Sequence, residues 1–358
     1  MSVHFEKIKI KQVRKEIADC VSISFDIPEE LQEKFQYQAG QYITLRTYIN
    51  GEELRRSYSL CSSPLENEWR IAVKKTEYGL FSTFANEQLK AGDVLELMPP
   101  LGNFFTPFNK TNKKKYVLIA AGSGITPIIS IIKTALAVEP HASVTLVYGN
   151  RHRHLIIFKE QLEALKNKYI DRLQLIYVLS REMTDATINH GRIDALKCDQ
   201  LFTKHININA DEFFICGPSK MIFCVKNYLL SKAVEENKIH FELFTTPEQL
   251  RTSHSIPHTS SIDEPKSKVT IKQDGISFGF DLSFDDENIL DAALHHGADL
   301  PYSCKGGVCC TCRAKLIEGE VEMEVNYALE PWEVKQGFIL VCQSHPKTEK
   351  VVIDFDVK

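Results

Sequence analysis

The chain has 358 residues, with 43 Lys and Arg against 47 Asp and Glu and a formal charge of −4. At roughly 100–200 residues per domain this length predicts two or three domains, and a composition 43% hydrophobic and 25% charged excludes wholesale disorder. The slight acidity argues against nucleic acid as the main partner, because phosphate binding needs a basic face, and no apolar run approaches the ~20 residues that cross a bilayer, so no membrane partner is expected.

The first residues, MSVHFEKIKIKQV, alternate apolar and charged side chains, which reads as a strand and not as a signal peptide; a cytoplasmic protein is expected. Within residues 1–107 the runs SISFDI, QYITLRTYI, SYSLCS, WRIAVKKT and DVLELMP follow, punctuated by Gly, Pro and Asn-Gly, the pattern of an antiparallel β-barrel or sandwich. Residues 108–244 alternate strand and helix. KYVLIAA precedes Gly-Ser-Gly and a helix to about Ala137; SVTLVYG, the helical LIIFKEQLEALKNKY, LQLIYVLS, DEFFICG, the helical KMIFCVKNYLLSKAV and IHFELF continue. That alternation predicts a parallel, doubly wound α/β sheet. Residues 245–266 are polar, hold three prolines and show no apolar period, as expected of a linker. The last domain, 267–358, opens with VTIKQDGISFGFDL, two alternating runs joined by Asp274-Gly275, a hairpin signal.

Five of the ten cysteines are scattered singly, whereas Cys304, Cys309, Cys310 and Cys312 crowd together and Cys342 follows. A disulfide framework is not expected in a long chain without an export signal. Cys304-x4-Cys309-x2-Cys312 with Cys342 some thirty residues on is the plant-type [2Fe–2S] spacing, and it differs from the paired Cys-x2-Cys arrangement of zinc sites. Gly306 and Gly307 give the loop backbone freedom and leave amides to aim at cluster sulfurs. Cys310 is out of register and is expected to be a bystander. The segment LPYSCKGGVCCTCRAKLIEGEV…CQ resembles a plant-type ferredoxin domain. The resemblance implies a β-grasp fold and a one-electron carrier, with Asp299, Tyr302 and Arg313 at a rim where a partner docks.

Arg56-Ser57-Tyr58-Ser59, followed by Ser62, resembles the Arg-x-Tyr-Ser signature of the ferredoxin–NADP reductase superfamily. Arg56 suits a phosphate, Tyr58 can lie against an isoalloxazine, and the Ser59 hydroxyl can bond the flavin near N5, which makes Ser59 a catalytic candidate. Taken alone, the string is also what a strand with a surface Arg and a core Tyr would show. In the superfamily, Val73-Lys74 and Gly79-Leu80-Phe81-Ser82-Thr83 entering a helix offer amides and a helix N-terminus to the pyrophosphate, and this adenine-side segment implies FAD. Ser82 as a plain N-cap is compatible with that reading. LMPPLGNFF closes the barrel in the same family.

Gly122-Ser123-Gly124-Ile125-Thr126-Pro127 follows a buried strand and opens a helix, where close backbone approach and the helix dipole suit a pyrophosphate. It is the superfamily's Gly-x-Gly-x-Thr-Pro form, and not the Gly-x-Gly-x-x-Gly fingerprint. Cys216-Gly217-Pro218 ends a strand at a carboxyl edge, where open α/β sheets bind ligands; the resemblance puts Cys216 beside the nicotinamide, as the second catalytic candidate, with Met221 beneath. Ser180-Arg181 at a strand end suits the 2′-phosphate of NADPH, where an acidic residue would suit NADH; Arg151 and Arg192 add charge. The resemblance also implies a carboxylate and an aromatic near the flavin, Glu242 and Phe244, although a strand edge would equally explain them.

These sites together predict a relay from NADPH through FAD to the [2Fe–2S] cluster, flavin converting a two-electron donor to single electrons. The stretch EGEVEMEVNYALEPWEVKQGFILVCQSHP resembles reductases that feed the di-iron oxygenase of aerobic phenylacetate breakdown, the phenylacetyl-CoA epoxidase, so a terminal oxygenase is the implied protein acceptor. Relatives that serve other oxygenases or fatty-acyl desaturases give the alternative. His152, His154, His295 and His296 read as surface residues and not as a further catalytic set.

Overall fold

The computed structural model describes residues 4–244, 266–284 and 286–357. Three sheets follow one another along the chain. The first comprises β1 (Glu6–Ile17), β2 (Cys20–Asp26), β3 (Tyr42–Ile49), β4 (Glu52–Ser59), β5 (Trp69–Lys74) and β6 (Val94–Leu97), with α1 (Leu80–Glu87) before β6. Every pairing is antiparallel, in the order β4-β3-β6-β1-β2-β5. A bridge between Leu60 and Ile71 links the two edges into a barrel, and inward residues such as Ile23, Ile43, Leu45 and Ile71 fill it. β4 begins at Glu52, five residues before the expected start. Asn50-Gly51 turns the chain so that Ile49 pairs with Glu52, and the charged run EELRR becomes ladder.

The second sheet is parallel, ordered β11-β10-β7-β8-β9. It holds β7 (Lys115–Ala121), β8 (Ser143–Asn150), β9 (Leu173–Leu179), β10 (Glu212–Cys216) and β11 (Ile239–Glu242). Between them run α2 (Ile125–Val138), α3 (Lys159–Lys168), α4 (Ala195–Lys204) and α5 (Ser219–Ser231). Two core clusters, one on each face, sandwich the sheet as a doubly wound fold requires. α3 starts four residues later than its apolar run suggests, because Phe158 sits in the left-handed region (φ 59°) and Ile156, Ile157 and Phe158 plug the core from a loop. α4 was not foreseen. Its signals are the Asp194 carboxylate capping the amide of Lys197 and the helical spacing of the buried Cys198 and Leu201.

The third sheet, ordered β13-β12-β18-β14-β16, holds β12 (Lys266–Gln273), β13 (Ile276–Ser283), β14 (Arg313–Glu318), β16 (Phe338–Leu340) and β18 (Lys350–Asp354). α6 (Ile289–His295) packs on it, α7 (Pro331–Lys335) precedes β16, and β15 (Val321–Met323) pairs with β17 (Ser344–Pro346). β12 and β18 are parallel and the other pairs antiparallel, the mixed sheet of a β-grasp fold. The hairpin at Asp274-Gly275 is present, with Gln273 opposite Ile276. Of the expected linker 245–266, residues 245–265 lie outside the described residues, and Lys266 already belongs to β12. Among the described residues no helix is long and apolar enough to cross a membrane.

Candidate functional site

The expected nucleotide residues all fall at the carboxyl ends of the parallel strands. In the order β11-β10-β7-β8-β9 the chain direction across the sheet reverses between β7 and β10, which opens a crevice there. Gly122 and Gly124 follow β7, Cys216-Gly217-Pro218 ends β10, and Glu242 ends β11 opposite Cys216. Gly124 touches its neighbour so closely that a Cβ there would sit 2.2 Å from the Cys216 carbonyl oxygen. Thr126 and Pro127 are buried in the first turn of α2, with the Thr126 hydroxyl donating to the Ser123 carbonyl at 3.1 Å. Met221 lies under Gly217, as expected, its Cε 2.8 Å from where a Cβ would be. Beyond β8 and β9, the amide of Arg181 donates to the carbonyl of Arg151 at 2.9 Å, so these two exposed arginines stand side by side, next to the half-buried Ser180. His154, His295 and His296 are exposed and His152 is half-buried.

The barrel meets this crevice through β4. Ser59 is buried and its Oγ donates to Glu242 Oε2 at 3.0 Å, linking the barrel to the second sheet. Burial raises the Glu242 carboxyl to about 8, against the lowering effect of the Ser59 hydrogen bond. Burial, and then the neighbouring Glu242, push the Cys216 thiol well above its ordinary value. Ser59, Glu242 and Cys216 thus form one constellation drawn from three strands, all of whose members the sequence had singled out; Phe244 lies just beyond it, 39% exposed. Tyr58 packs on Phe81 with ring centroids 5.6 Å apart. Phe81, expected among the cofactor residues, is a core side chain of the barrel that supports the Tyr58 ring. Arg56 is exposed, with one guanidinium nitrogen on the Arg55 carbonyl at 2.7 Å.

At α1 the N-cap position is Gly79, without a side-chain cap. Ser82 lies inside the helix and is not the cap; its Oγ accepts from the Thr76 amide and donates to the Gly79 carbonyl, both at 3.1 Å, which fixes the turn. The Thr83 amide closes on the Gly79 carbonyl. Val73 is buried in β5, and Lys74 lies 3.6 Å from Asp19.

The cysteine loop gathers its four expected ligands in twos. Cys309 Sγ donates to Cys304 Sγ at 3.1 Å, and the Cys312 thiol neighbours that of Cys342. Among the described residues no three metal-binding side chains surround a single-ion point. Two thiol pairs fit a two-iron cluster held by four cysteines. The Cys309 thiol, and with it the Gly306, Val308 and Cys309 amides, lower Cys304 to about 6 against the effect of burial. The partner thiol and burial raise Cys309 and Cys312. Gly307 is the glycine the loop cannot replace, since φ is +70° and a Cβ would lie 2.8 Å from the Val325 carbonyl oxygen. Gly306 contributes its amide, 3.3 Å from Cys304 Sγ. Cys310 turns away, with Sγ on the Ala328 carbonyl at 3.2 Å.

One expectation changes. Tyr302, expected with Asp299 at a rim open to a partner, packs on the chain's own barrel, whereas Asp299 bonds the barrel with its side chain still 77% exposed. The buried Arg55 of β4 donates to Asp299 Oδ1 at 3.0 Å and to the Leu300 carbonyl at 2.9 Å, and stacks over Tyr302 at 4.1 Å. Glu53 holds the same guanidinium at 2.7 Å. Arg313 forms an ion pair with Glu333 at 2.8 Å, whose other oxygen accepts from Asn103 of the barrel. The Ser57 hydroxyl, expected at the flavin, instead donates to Ser303 beside the cysteine loop at 2.9 Å. Sequence reasoning missed Tyr42, Thr44 and Arg55, which carry most of this contact.

Comparison with known proteins agrees with these three units. Residues 7–106 match the oxidoreductase FAD-binding domain family, 118–227 the oxidoreductase NAD-binding domain family and 272–347 the 2Fe-2S iron–sulfur cluster binding domain family. The chain is 44% identical over 355 residues to a 1,2-phenylacetyl-CoA epoxidase subunit of Escherichia coli, covering 99% of this chain and 98% of that one. It is 34% identical to the ferredoxin reductase component of 3-ketosteroid-9-alpha-monooxygenase from Rhodococcus rhodochrous, covering 97% and 96%. Phthalate dioxygenase reductase has the same fold, with a TM-score of 0.58 at 24% identity and 98% of each chain covered. The chain belongs to the ferredoxin–NADP reductase superfamily, in the group that carries a C-terminal 2Fe-2S ferredoxin domain and includes the reductase subunit of phenylacetyl-CoA epoxidase.

Proposed function

We propose that this chain is the reductase component of a phenylacetyl-CoA epoxidase system, taking electrons from NADPH through FAD and a [2Fe–2S] cluster to a di-iron oxygenase. The observation that carries this reading is the 44% identity to the Escherichia coli epoxidase subunit across nearly the whole of both chains. Bound flavin supplies the conversion of a two-electron donor into single-electron steps; the rest of the work falls to the polypeptide. Arg56 is placed to meet phosphate charge, and Tyr58, supported by Phe81, to flank a flat ring. Ser59 and Glu242 hold a hydrogen-bonded hydroxyl and carboxyl at the crevice, a proton store of suitable affinity near neutral pH. Val73, Lys74, Gly79, Ser82 and Thr83 shape the turn at α1 for the pyrophosphate of FAD. Gly122, Gly124, Thr126 and Pro127 do the same for the coenzyme, with Cys216, Gly217 and Pro218 framing the nicotinamide and Phe244 at its edge. Ser180, Arg181 and Arg151 select the 2′-phosphate, a role supported by the adjacency of the two arginines. Cys304, Cys309, Cys312 and Cys342 ligate the cluster.

The test is reconstitution with the di-iron oxygenase and phenylacetyl-CoA. NADPH oxidation that depends on substrate, oxygenase and this chain together supports the reading. Rapid cytochrome c reduction without coupled turnover would refute the phenylacetyl-CoA assignment and turn the search to other oxygenases, such as the steroid monooxygenase served by the Rhodococcus relative, or to a fatty-acyl desaturase.

A further inference from the structure

Where the ferredoxin domain meets the barrel, five hydroxyls from the two units form an unbroken ladder. Ser57 Oγ donates to Ser303 Oγ at 2.9 Å and lies 3.0 Å from Thr44 Oγ1. Thr44 Oγ1 is 3.2 Å from Thr311 Oγ1, which is 3.4 Å from the Tyr42 hydroxyl. The Tyr42 hydroxyl in turn accepts the amide of Cys310 at 2.9 Å. Both ends of the ladder, at Ser303 and at the Cys310 amide, lie at the cysteine loop, and its middle rungs, Ser57 and Thr44, lie on the barrel strand of the flavin signature and the strand paired with it. Ser57 sits between Arg56 and Tyr58 of the flavin signature, and Ser303 adjoins Cys304. Thr311 lies between Cys310 and Cys312. Tyr42, Thr44, Ser303 and Thr311 are all buried, at 5%, 0%, 9% and 3% exposure.

Burying hydroxyls is unfavourable unless each finds a partner. Here each partner lies in a fixed position across the contact, so the ladder admits one register of the cysteine loop on β4 and disfavours neighbouring ones. An apolar contact of the same area would allow sliding. We infer that Tyr42, Thr44, Ser303 and Thr311, with Ser57, are positioning residues for electron transfer from flavin to cluster: they hold the cysteine loop in one register against the flavin-bearing strand. The transfer oxidises reduced flavin by one electron and reduces the cluster by one, and makes or breaks no covalent bond in the ladder. This inference rests on the proposed relay.

The test uses the holoenzyme under anaerobic stopped flow with NADPH, following flavin bleaching and cluster reduction separately. Thr44→Val removes one rung at constant volume, far in sequence from the cluster ligands. Flavin bleaching is expected at the wild-type rate, with cluster reduction slowed about 10-fold, in line with the rate lost to small misplacements of reacting groups. Thr44→Ser is expected to restore the rate, and the paramagnetic signal and midpoint potential of the cluster to stay unchanged. Cluster reduction at the wild-type rate in both Thr44→Val and Thr311→Val would overturn the inference. So would equal slowing of both phases, which would place Thr44 in the flavin site itself. Tyr42→Phe adds a readout independent of turnover: hydrogen exchange at the Cys310 amide is expected to accelerate, and unchanged exchange would overturn the contact. If NADPH fails to bleach the flavin of the wild-type protein, the proposed relay falls instead.

Discussion

Gly124 offers the sharpest test of how the nucleotide loop is built. Its φ of −60° is open to any residue, so alanine there carries no backbone strain. The obstacle is steric. A Cβ would stand 2.2 Å from the Cys216 carbonyl oxygen, 2.5 Å from its carbon and 2.8 Å from the Gly217 nitrogen, whereas ordinary contact begins at 3.4 Å. All three atoms are backbone, so in Gly124→Ala the loop and the end of β10 must part by about 1 Å. Overpacking of this kind costs about 1–3 kcal/mol of stability, and a displacement of about 1 Å near reacting groups costs up to about 100-fold in rate. Anaerobic flavin reduction at varied NADPH is expected to show a raised KM and a 10- to 100-fold slower limiting rate, about the range set by such misplacement. Flavin content and the signal of the dithionite-reduced cluster should not change. Gly122→Ala is the contrast. Its φ of +56° strains alanine by about 1–2 kcal/mol, yet nothing lies within 4 Å of a Cβ there, so the place of Cys216 is kept and the kinetic effect is milder. Wild-type kinetics in Gly124→Ala, or a worse defect in Gly122→Ala, would refute the reasoning.

Cys309→Ser is expected to abolish the cluster's visible and paramagnetic signals while NADPH still bleaches the flavin, whereas Cys310→Ala, whose thiol faces the Ala328 carbonyl, should retain both; an intact cluster in the first or a lost one in the second would contradict the ligand set. Arg181→Asp should raise KM for NADPH far more than for NADH in steady-state assays, and equal effects would remove Arg181 from 2′-phosphate recognition. Glu242 titrates near 8 in the fold against 4.5 ordinarily, so the folded state holds its proton more tightly than the unfolded chain. Its contribution to stability is full below pH 4.5 and is lost as pH rises to about 8. Glu242→Gln should therefore flatten the fall of Tm with pH across that window and erase a limb near pH 8 from the profile of flavin reduction; identical profiles would show that Glu242 does not titrate there.

Much of the fold was legible because each unit writes its own period. Alternation in HFEKIKIKQV and VTIKQDGISFGF matches strands with one face buried, and the unbroken apolar run KYVLIAA matches a strand covered on both faces. Boundaries slipped where a local conformation overrode composition. The helix-like LIIF stays a loop because its apolar side chains fill the core with Phe158 left-handed, and the charged EELRR joins a strand because a tight turn sets its register. α4 was missed because ALKCDQLFTK holds few apolar residues, so that only the Asp194 cap and the spacing of Cys198 and Leu201 announce it.

In the constellation of Ser59, Glu242 and Cys216 the last two were legible for another reason: each ends a strand of the parallel sheet, which gathers strand ends at one edge whatever the intervening helices do, whereas Ser59 ends a strand of the antiparallel barrel and was marked by its Arg-x-Tyr-Ser string. The contact between barrel and ferredoxin had no such rule behind it. Tyr42, Thr44 and Ser57 share one face of β3 and β4, and in sequence that alternation fits a solvated barrel face as well as a docked one. Arg55 reads as one more surface cation in a charged run, until Glu53, Asp299 and Tyr302 surround it. Hydroxyls and an arginine are the residue types whose burial composition cannot foretell, since their partners lie nearly 250 residues away. What a family signature marks is the chemistry each unit performs. The register in which one unit meets the next is written in side chains that only the assembled chain brings together.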